Sequence, residues 1–328
     1  MSGHQSSYFL GLNEYDLRKK RNKKIYDNKY MNTLSNHTSI NNQAGFILTI
    51  TCPDRPGIVH AVSQFLFEKG ANILDSAQYS DTVTGRFFMR IHFVVDPATV
   101  SQDQLQNSFD LIGRRFQMLW NFYDALKKPR VLVMVSSYGH CLNDLLFRTK
   151  SDLLPIEIAG IVSNHYDFLQ LAKSYDVPFH FLDIKSSTDS KKVQQEEILL
   201  SLIEQEKIDL IVLARYMQIL SDKVCQQLAG RVINIHHSFL PSFKGAKPYF
   251  QAHQRGVKLI GATAHYVTTD LDEGPIIEQE VLRVNHAMSP DQLAAAGRDA
   301  ECLALSKAVR WHAEQRIFVN GKSTVIFQ

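Results

Sequence analysis

The sequence predicts an α/β chain in two domains. A smaller α+β domain of βαββαβ order, ferredoxin-like, precedes a Rossmann-like domain with a mostly parallel sheet. Three observations carry this. The 328 residues are enough for two hydrophobic cores. Up to Val95, apolar side chains recur at every second position, as in a sheet with one buried face. From Arg130 onward, short unbroken apolar runs alternate with helical stretches, the pattern of strands buried on both faces.

In chain order, residues 1–43 match neither pattern. They hold Arg18-Lys19-Lys20-Arg21 and Lys23-Lys24 among many Asn and Ser residues. Such a segment has too little apolar surface to order itself and reads as a basic, disordered extension. A nucleic-acid tether and an organelle address are the alternatives. Glu14, Asp16 and Asp27 weigh against the second, because transit peptides are poor in acids.

The first domain is expected over residues 44–126. Phe46, Leu48, Ile50 and Cys52 share one strand face. A helix follows from about Pro56, with Asp54 as its cap. Two strands flank the turn Asp81-Thr82-Val83-Thr84-Gly85; in the second, Phe87, Met89, Ile91, Phe93 and Val95 point one way, Arg90 and His92 the other. A helix over Gln102 to Gln117 and a short strand near Met118 to Phe122 complete an open antiparallel sheet with helices on one face. Residues 127–129 form a linker, and the second domain occupies 130–328. Its strands are expected at Val131 to Val135, Ile158 to Val162, Leu210 to Ala214, Val232 to Ile235, Ile260 to Val267 and Pro275 to Val284. A long helix runs from Ser289 to Glu314, capped by Ser289 with Pro290 at its first position.

A net charge of +3 is too small to argue for a nucleic-acid partner, although local charge still allows an anionic small molecule. Cys52, Cys141, Cys225 and Cys302 are scattered and form no CxxC pair, so they read as free thiols in a reducing, cytoplasmic setting. No apolar run is long enough to span a bilayer, and the expectation is no membrane partner.

Two segments carry chemistry. In Arg231-Val232-Ile233-Asn234-Ile235-His236-His237-Ser238, Asn234 and His236 alternate with apolar residues and therefore share a strand face. An amide and an imidazole thus project together from the end of a buried strand, where parallel sheets hold their ligands. Buried polar groups are costly unless satisfied or used. The second segment, Thr268-Thr269-Asp270-Leu271-Asp272-Glu273-Gly274-Pro275, is an acidic loop after a strand. One of its carboxylates can meet the Asn/His pair and orient a water; the pattern does not choose among Asp270, Asp272 and Glu273. His236-His237 with His265 invites a zinc reading, but adjacent strand residues face opposite ways, so no metal is expected.

Cys52-Pro53-Asp54-Arg55-Pro56-Gly57-Ile58-Val59 resembles an ACT domain. The resemblance implies sheet-mediated pairing into a homo-oligomer and an amino-acid effector such as glycine or methionine. Asp54 and Gly57 are the regulatory candidates; the alternative is that they only start the helix. Asn234-Ile235-His236, with Ser238, Leu240-Pro241 and Leu271-Asp272-Glu273-Gly274-Pro275, resembles the folate-dependent formyltransferase fold. That resemblance implies Asn234, His236 and Asp272 as the catalytic set. It also implies Leu213, Ala214, Arg215, Tyr216 and Met217 beside a folate pteridine, with His237, Gly245 and Thr268 as further substrate contacts. An ACT domain ahead of this fold is similar to the formyltetrahydrofolate deformylases, which implies hydrolysis of 10-formyltetrahydrofolate without a cofactor. The glycine-rich phosphate turn of the glycinamide ribonucleotide formyltransferases is replaced by Ser136-Ser137-Tyr138-Gly139-His140-Cys141, with one glycine. A tight phosphate cradle needs bare backbone amides, so water rather than a phosphorylated amine is the expected formyl acceptor.

Overall fold

The computed structural model describes residues 44–98, 100–183, 189–240 and 248–328; the basic extension and Gly245 lie outside the described residues. The first sheet is antiparallel, with strands β1 (Ala44–Pro53), β2 (Asn72–Asp81), β3 (Arg86–Val95) and β4 (Leu119–Asp124) in the order β2-β3-β1-β4. Helices α1 (Ile58–Glu68) and α2 (Gln102–Phe116) cover one face. The two-residue period sets that face: Phe46, Leu48, Ile50 and Cys52 of β1 pack with Phe87, Met89, Ile91 and Phe93 of β3 in one apolar cluster.

Two expectations for this domain need correction. Asp54 does not cap α1. The N-cap is Gly57, in the left-handed region at φ 94° and with no side-chain cap, and the Asp54 carboxylate accepts from the Ser80 hydroxyl instead. Nor is the second sheet face left to solvent throughout. Arg90 is buried there, ion-paired to Asp75 at 2.9 Å.

The covering element is the hairpin β12 (Ile317–Asn320) and β13 (Ser323–Ile326), which the sequence pattern did not announce. Phe318 packs edge-on against Phe88 at 5.9 Å, Arg90 Nε donates to the Glu314 carbonyl at 3.1 Å, and Asn320 Nδ2 donates to Asp81 at 2.7 Å. Two strands of four residues are too short to display a period.

The second sheet has seven strands in the order β11-β10-β9-β8-β5-β6-β7. They are β5 (Arg130–Val135), β6 (Glu157–Ser163), β7 (Phe179–Phe181), β8 (Leu210–Leu213), β9 (Val232–His236), β10 (Leu259–Tyr266) and β11 (Ile276–Arg283). The first five run parallel, and β10 and β11 close one edge antiparallel. Helices α3 (His140–Lys150), α4 (Leu169–Ser174), α5 (Asp189–Gln205), α6 (Asp222–Gln227), α7 (Pro248–Gln254) and α8 (Pro290–Ala313) flank the sheet. Ser289 caps the longest of them, α8, and Pro290 opens it, as expected; the cap is a capping box with Gln292. Continuous apolar runs are explained by burial on both faces: Val131, Val133 and Val135 belong to one cluster, Leu132 and Met134 to another. The chain order reverses between β5 and β8, and ligands bind at such a switch point, beyond the carboxyl ends of the strands. No described helix is long and apolar enough to cross a membrane.

Candidate active site

Asn234 and His236 stand at the carboxyl end of β9 and share a face, as their spacing requires. His236 is buried, and its Nδ1 lies 3.3 Å from Asp272 Oδ2. That contact comes first among the causes that hold the Asp272 carboxyl below its ordinary value, so Asp272 is an anion. With Nδ1 engaged, the other ring nitrogen of His236, Nε2, is buried and has no hydrogen-bond partner among the described residues. An unsatisfied buried imidazole nitrogen is expensive unless a ligand completes it.

The loop that delivers Asp272 is tightly constrained. Asp272 adopts φ 57°, a left-handed conformation that Asp tolerates better than most residues. Two residues on, Gly274 runs against β10 so closely that a Cβ would overlap the Tyr266 carbonyl oxygen. The structure thereby chooses among the three acids: Asp272 faces His236, whereas Asp270 and Glu273 are exposed.

A second imidazole completes the group. His265, on β10, is the register partner of Asn234 and is buried. The β10–β11 pairing shifts register at Ala264/His265, and such irregularities re-aim side chains. His265 Nδ1 lies 2.9 Å from the Tyr266 carbonyl, which can only accept; Nδ1 therefore carries the proton. Burial first of all pushes the pKa of His265 down, which keeps it neutral. Its bare Nε2 then accepts from Asn234 Nδ2 at 3.2 Å. This orients the Asn234 amide and leaves its second N–H for a ligand. From the sequence, His265 reads only as a possible metal ligand; its one signal was an imidazole inside an otherwise apolar strand.

These groups open onto a cavity of about 340 Å³, within the range of small-molecule sites. Leu213, Arg215, Tyr216, Met217, His237 and Thr268 line it together with Asn234, His236 and Asp272. Ala214 does not. Side chains alternate at the end of β8, so Ala214 turns into the core beneath while its neighbours face the cavity. His237 is kept neutral, its pKa lowered to about 4 by burial and then by the charge of Arg215.

Behind Arg215 lies a second polar cluster on α3, α7 and α8. Glu301, almost fully buried, accepts from His140 Nε2 at 2.7 Å and from the Tyr249 hydroxyl at 2.8 Å, and faces Arg215 Nε at 3.5 Å. Burial alone would raise the Glu301 carboxyl, but the His140 hydrogen bond and the Arg215 charge outweigh it and the net shift is down. His140, Cys141 and Glu301 have metal-like proximity. The guanidinium beside them already supplies the positive charge. Contact with Cys302, then burial, keeps the Cys141 thiol well above its ordinary pKa. The cluster reads as hydrogen-bonded rather than metal-binding.

Known proteins resemble both parts of the chain. Residues 129–309 match the formyl transferase family and residues 46–104 the ACT domain. A formyltetrahydrofolate deformylase of Corynebacterium sp. (strain P-1) is 50% identical over 87% of this chain and 99% of its own length. The chain belongs to the formyltetrahydrofolate deformylase family. The crystal structure of a family member from Burkholderia mallei superposes with a TM-score of 0.82 at 49% identity, covering 87% of this chain and 100% of that one. A phosphoribosylglycinamide formyltransferase of Anaplasma phagocytophilum, at 31% identity and a TM-score of 0.56, covers 62% of this chain and 96% of its own. The transferase thus shares the catalytic fold, while the deformylase match covers a larger share of this chain.

Proposed function

We propose that the chain hydrolyses 10-formyltetrahydrofolate to formate and tetrahydrofolate, with Asn234, His236 and Asp272 as the catalytic residues. The observation that carries this is the buried, unpartnered His236 Nε2 beside the oriented Asn234 amide, with Asp272 holding the opposite side of the ring. The formyl oxygen sits between Asn234 Nδ2 and the imidazolium form of His236, both as donors. Water adds to the formyl carbon, the oxygen gains negative charge, and the two donors stabilise it as an oxyanion hole does. Asp272 orients the water, helps remove its proton and holds the His236 ring in place through Nδ1. The C–N10 bond then breaks and the proton goes to N10, which leaves formate and tetrahydrofolate. The formyl carbon is already electrophilic, so the scheme needs no metal.

In this reading the pteridine lies against Leu213, Tyr216 and Met217, with Arg215, His237 and Thr268 as polar contacts. Gly245, outside the described residues, is a candidate contact for the ligand's polar tail. The ACT domain takes an amino-acid effector, glycine or methionine, near Asp54 and Gly57, and its sheet pairs two copies. A thermal shift with single amino acids tests the first point, and mass measurement by sedimentation velocity the second. The four free cysteines support a reducing, cytoplasmic setting.

The test of the activity is simple. Enzyme and 10-formyltetrahydrofolate alone should release formate; strict dependence on an added amine would replace hydrolysis by transfer. Asn234→Ala, His236→Ala and Asp272→Ala should each lower formate release by about a hundredfold to a thousandfold in a folded protein. Asp270→Asn should leave it near normal.

A further inference from the structure

We propose that Arg215, backed by Glu301 and Tyr138, makes water the formyl acceptor by filling the side of the reacting centre where an amine would otherwise stand. This rests on the hydrolytic reading above and names the residues responsible for it. At the switch point, two flanks adjoin the catalytic strand. The flank along β8, β9 and β10 is the open cavity. The flank beyond the carboxyl end of β5 and the start of α3 is packed with side chains.

Arg215 is the centre of that packing. It adopts φ 64°, a conformation rare for a residue with a Cβ, and is 9% exposed. Its guanidinium carbon lies 5.3 Å from the Tyr138 ring centroid, and its Nε faces Glu301 at 3.5 Å. Glu301 is fixed in turn by His140 and Tyr249. Gly297 of α8 admits the Tyr249 ring, since a Cβ there would overlap it. The spare volume at Gly139 is likewise taken, by the Phe168 ring, so the start of α3 is not the bare cradle a phosphate requires.

Charge and volume act together. Arg215 lines the cavity with His236 and Asp272, and its Nε and Nη1 are buried without hydrogen bonds among the described residues. The guanidinium thus adds positive charge and bulk on this flank, and water, small and neutral, is the acceptor it leaves room for. An amine in its ammonium form is repelled by that charge, and an amine with substituents has no room on this flank. The same fold can deliver a formyl group to an amine only if this flank is open.

Arg215→Gly is the direct test, because glycine accepts φ near 64° without strain. Wild-type and variant proteins are incubated with 10-formyltetrahydrofolate and glycinamide, and formate and N-formylglycinamide are measured by mass spectrometry. In the transfer step the amine nitrogen bonds to the formyl carbon, the C–N10 bond breaks and an amine proton passes to N10. The ratio of N-formylglycinamide to formate should rise at least tenfold in Arg215→Gly. That ratio does not depend on how much of the variant is folded. Tyr138→Ala, at a half-exposed position, should shift it in the same direction by less. An unchanged ratio in both variants, with a wild type that releases formate, overturns this inference alone. A wild type that already formylates glycinamide as readily as the variants overturns it as well. A wild type that releases no formate overturns the hydrolytic reading and this inference with it.

Discussion

Asn234 presents a fixed donor because His265 stands opposite it on β10 and accepts one of its amide protons. The neutrality of His265 is itself a consequence of burial, and its tautomer follows from the Tyr266 carbonyl. In the proposed mechanism its role is to position Asn234, not to touch the formyl group. His265→Leu, close in size, removes the acceptor and frees the amide to rotate. Losing one buried hydrogen bond of this kind costs about 1 to 3 kcal/mol. The expectation is therefore a fall in kcat of roughly tenfold to a hundredfold with little change in KM, measured by formate release. A KM that rises while kcat holds would place His265 in folate binding instead.

At the scale of elements, the site is made by strand ends and one strained loop. β9 supplies the Asn/His pair and β10 supplies His265. The β10–β11 loop folds back to bring Asp272 within reach. Gly274 sets the position of that loop through its close approach to Tyr266. In Gly274→Ala the new Cβ must displace backbone, not a flexible side chain. Overpacking of this sort costs about 1 to 3 kcal/mol, and here it moves Asp272 away from His236 as well. Both a lower melting temperature and a large loss of turnover should follow. A variant that melts lower yet turns over normally would show that Asp272 tolerates the displacement.

Across the whole molecule, buried imidazoles link stability to pH. His237 and His312 both have pKa values lowered from 6.5 to about 4, chiefly by burial. His312 lies at the end of α8, where its Nδ1 meets the Tyr266 hydroxyl at 2.7 Å, and the same helix end carries the Glu314 carbonyl that Arg90 grips. Between about 4 and 6.5 the unfolded chain binds protons at these sites and the folded chain does not. Stability from this source is therefore complete above 6.5 and is lost as pH falls toward 4. A tenfold difference in proton affinity between the folded and unfolded chain is worth about 1.4 kcal/mol, so each site contributes up to a few kcal/mol. Urea denaturation at pH 7.5 and 5 should show the drop. His312→Asn should reduce it, and an equal drop in that variant would assign the effect to other groups.

Periodicity located both sheets except the edge strand β7, whose three residues are too few to show a pattern, because a two-residue alternation and unbroken apolar runs are direct imprints of burial on one face or two. It also placed Asn234 and His236 on one face, since that follows from strand geometry wherever the strand lies. Resemblance, not spacing, pointed to Asp272. The tertiary structure decided what depends on pairing between distant segments. It chose Asp272 over Asp270 through the fold of one loop, and turned Ala214 into the core. It brought His265 to Asn234 and carried Glu301, far along the chain on α8, to Arg215. It also laid the C-terminal hairpin on the face of the first sheet that the alternation left polar, which is why Arg90 is buried rather than solvated. Local sequence sets the direction in which a side chain points; only the packed chain determines what it meets there.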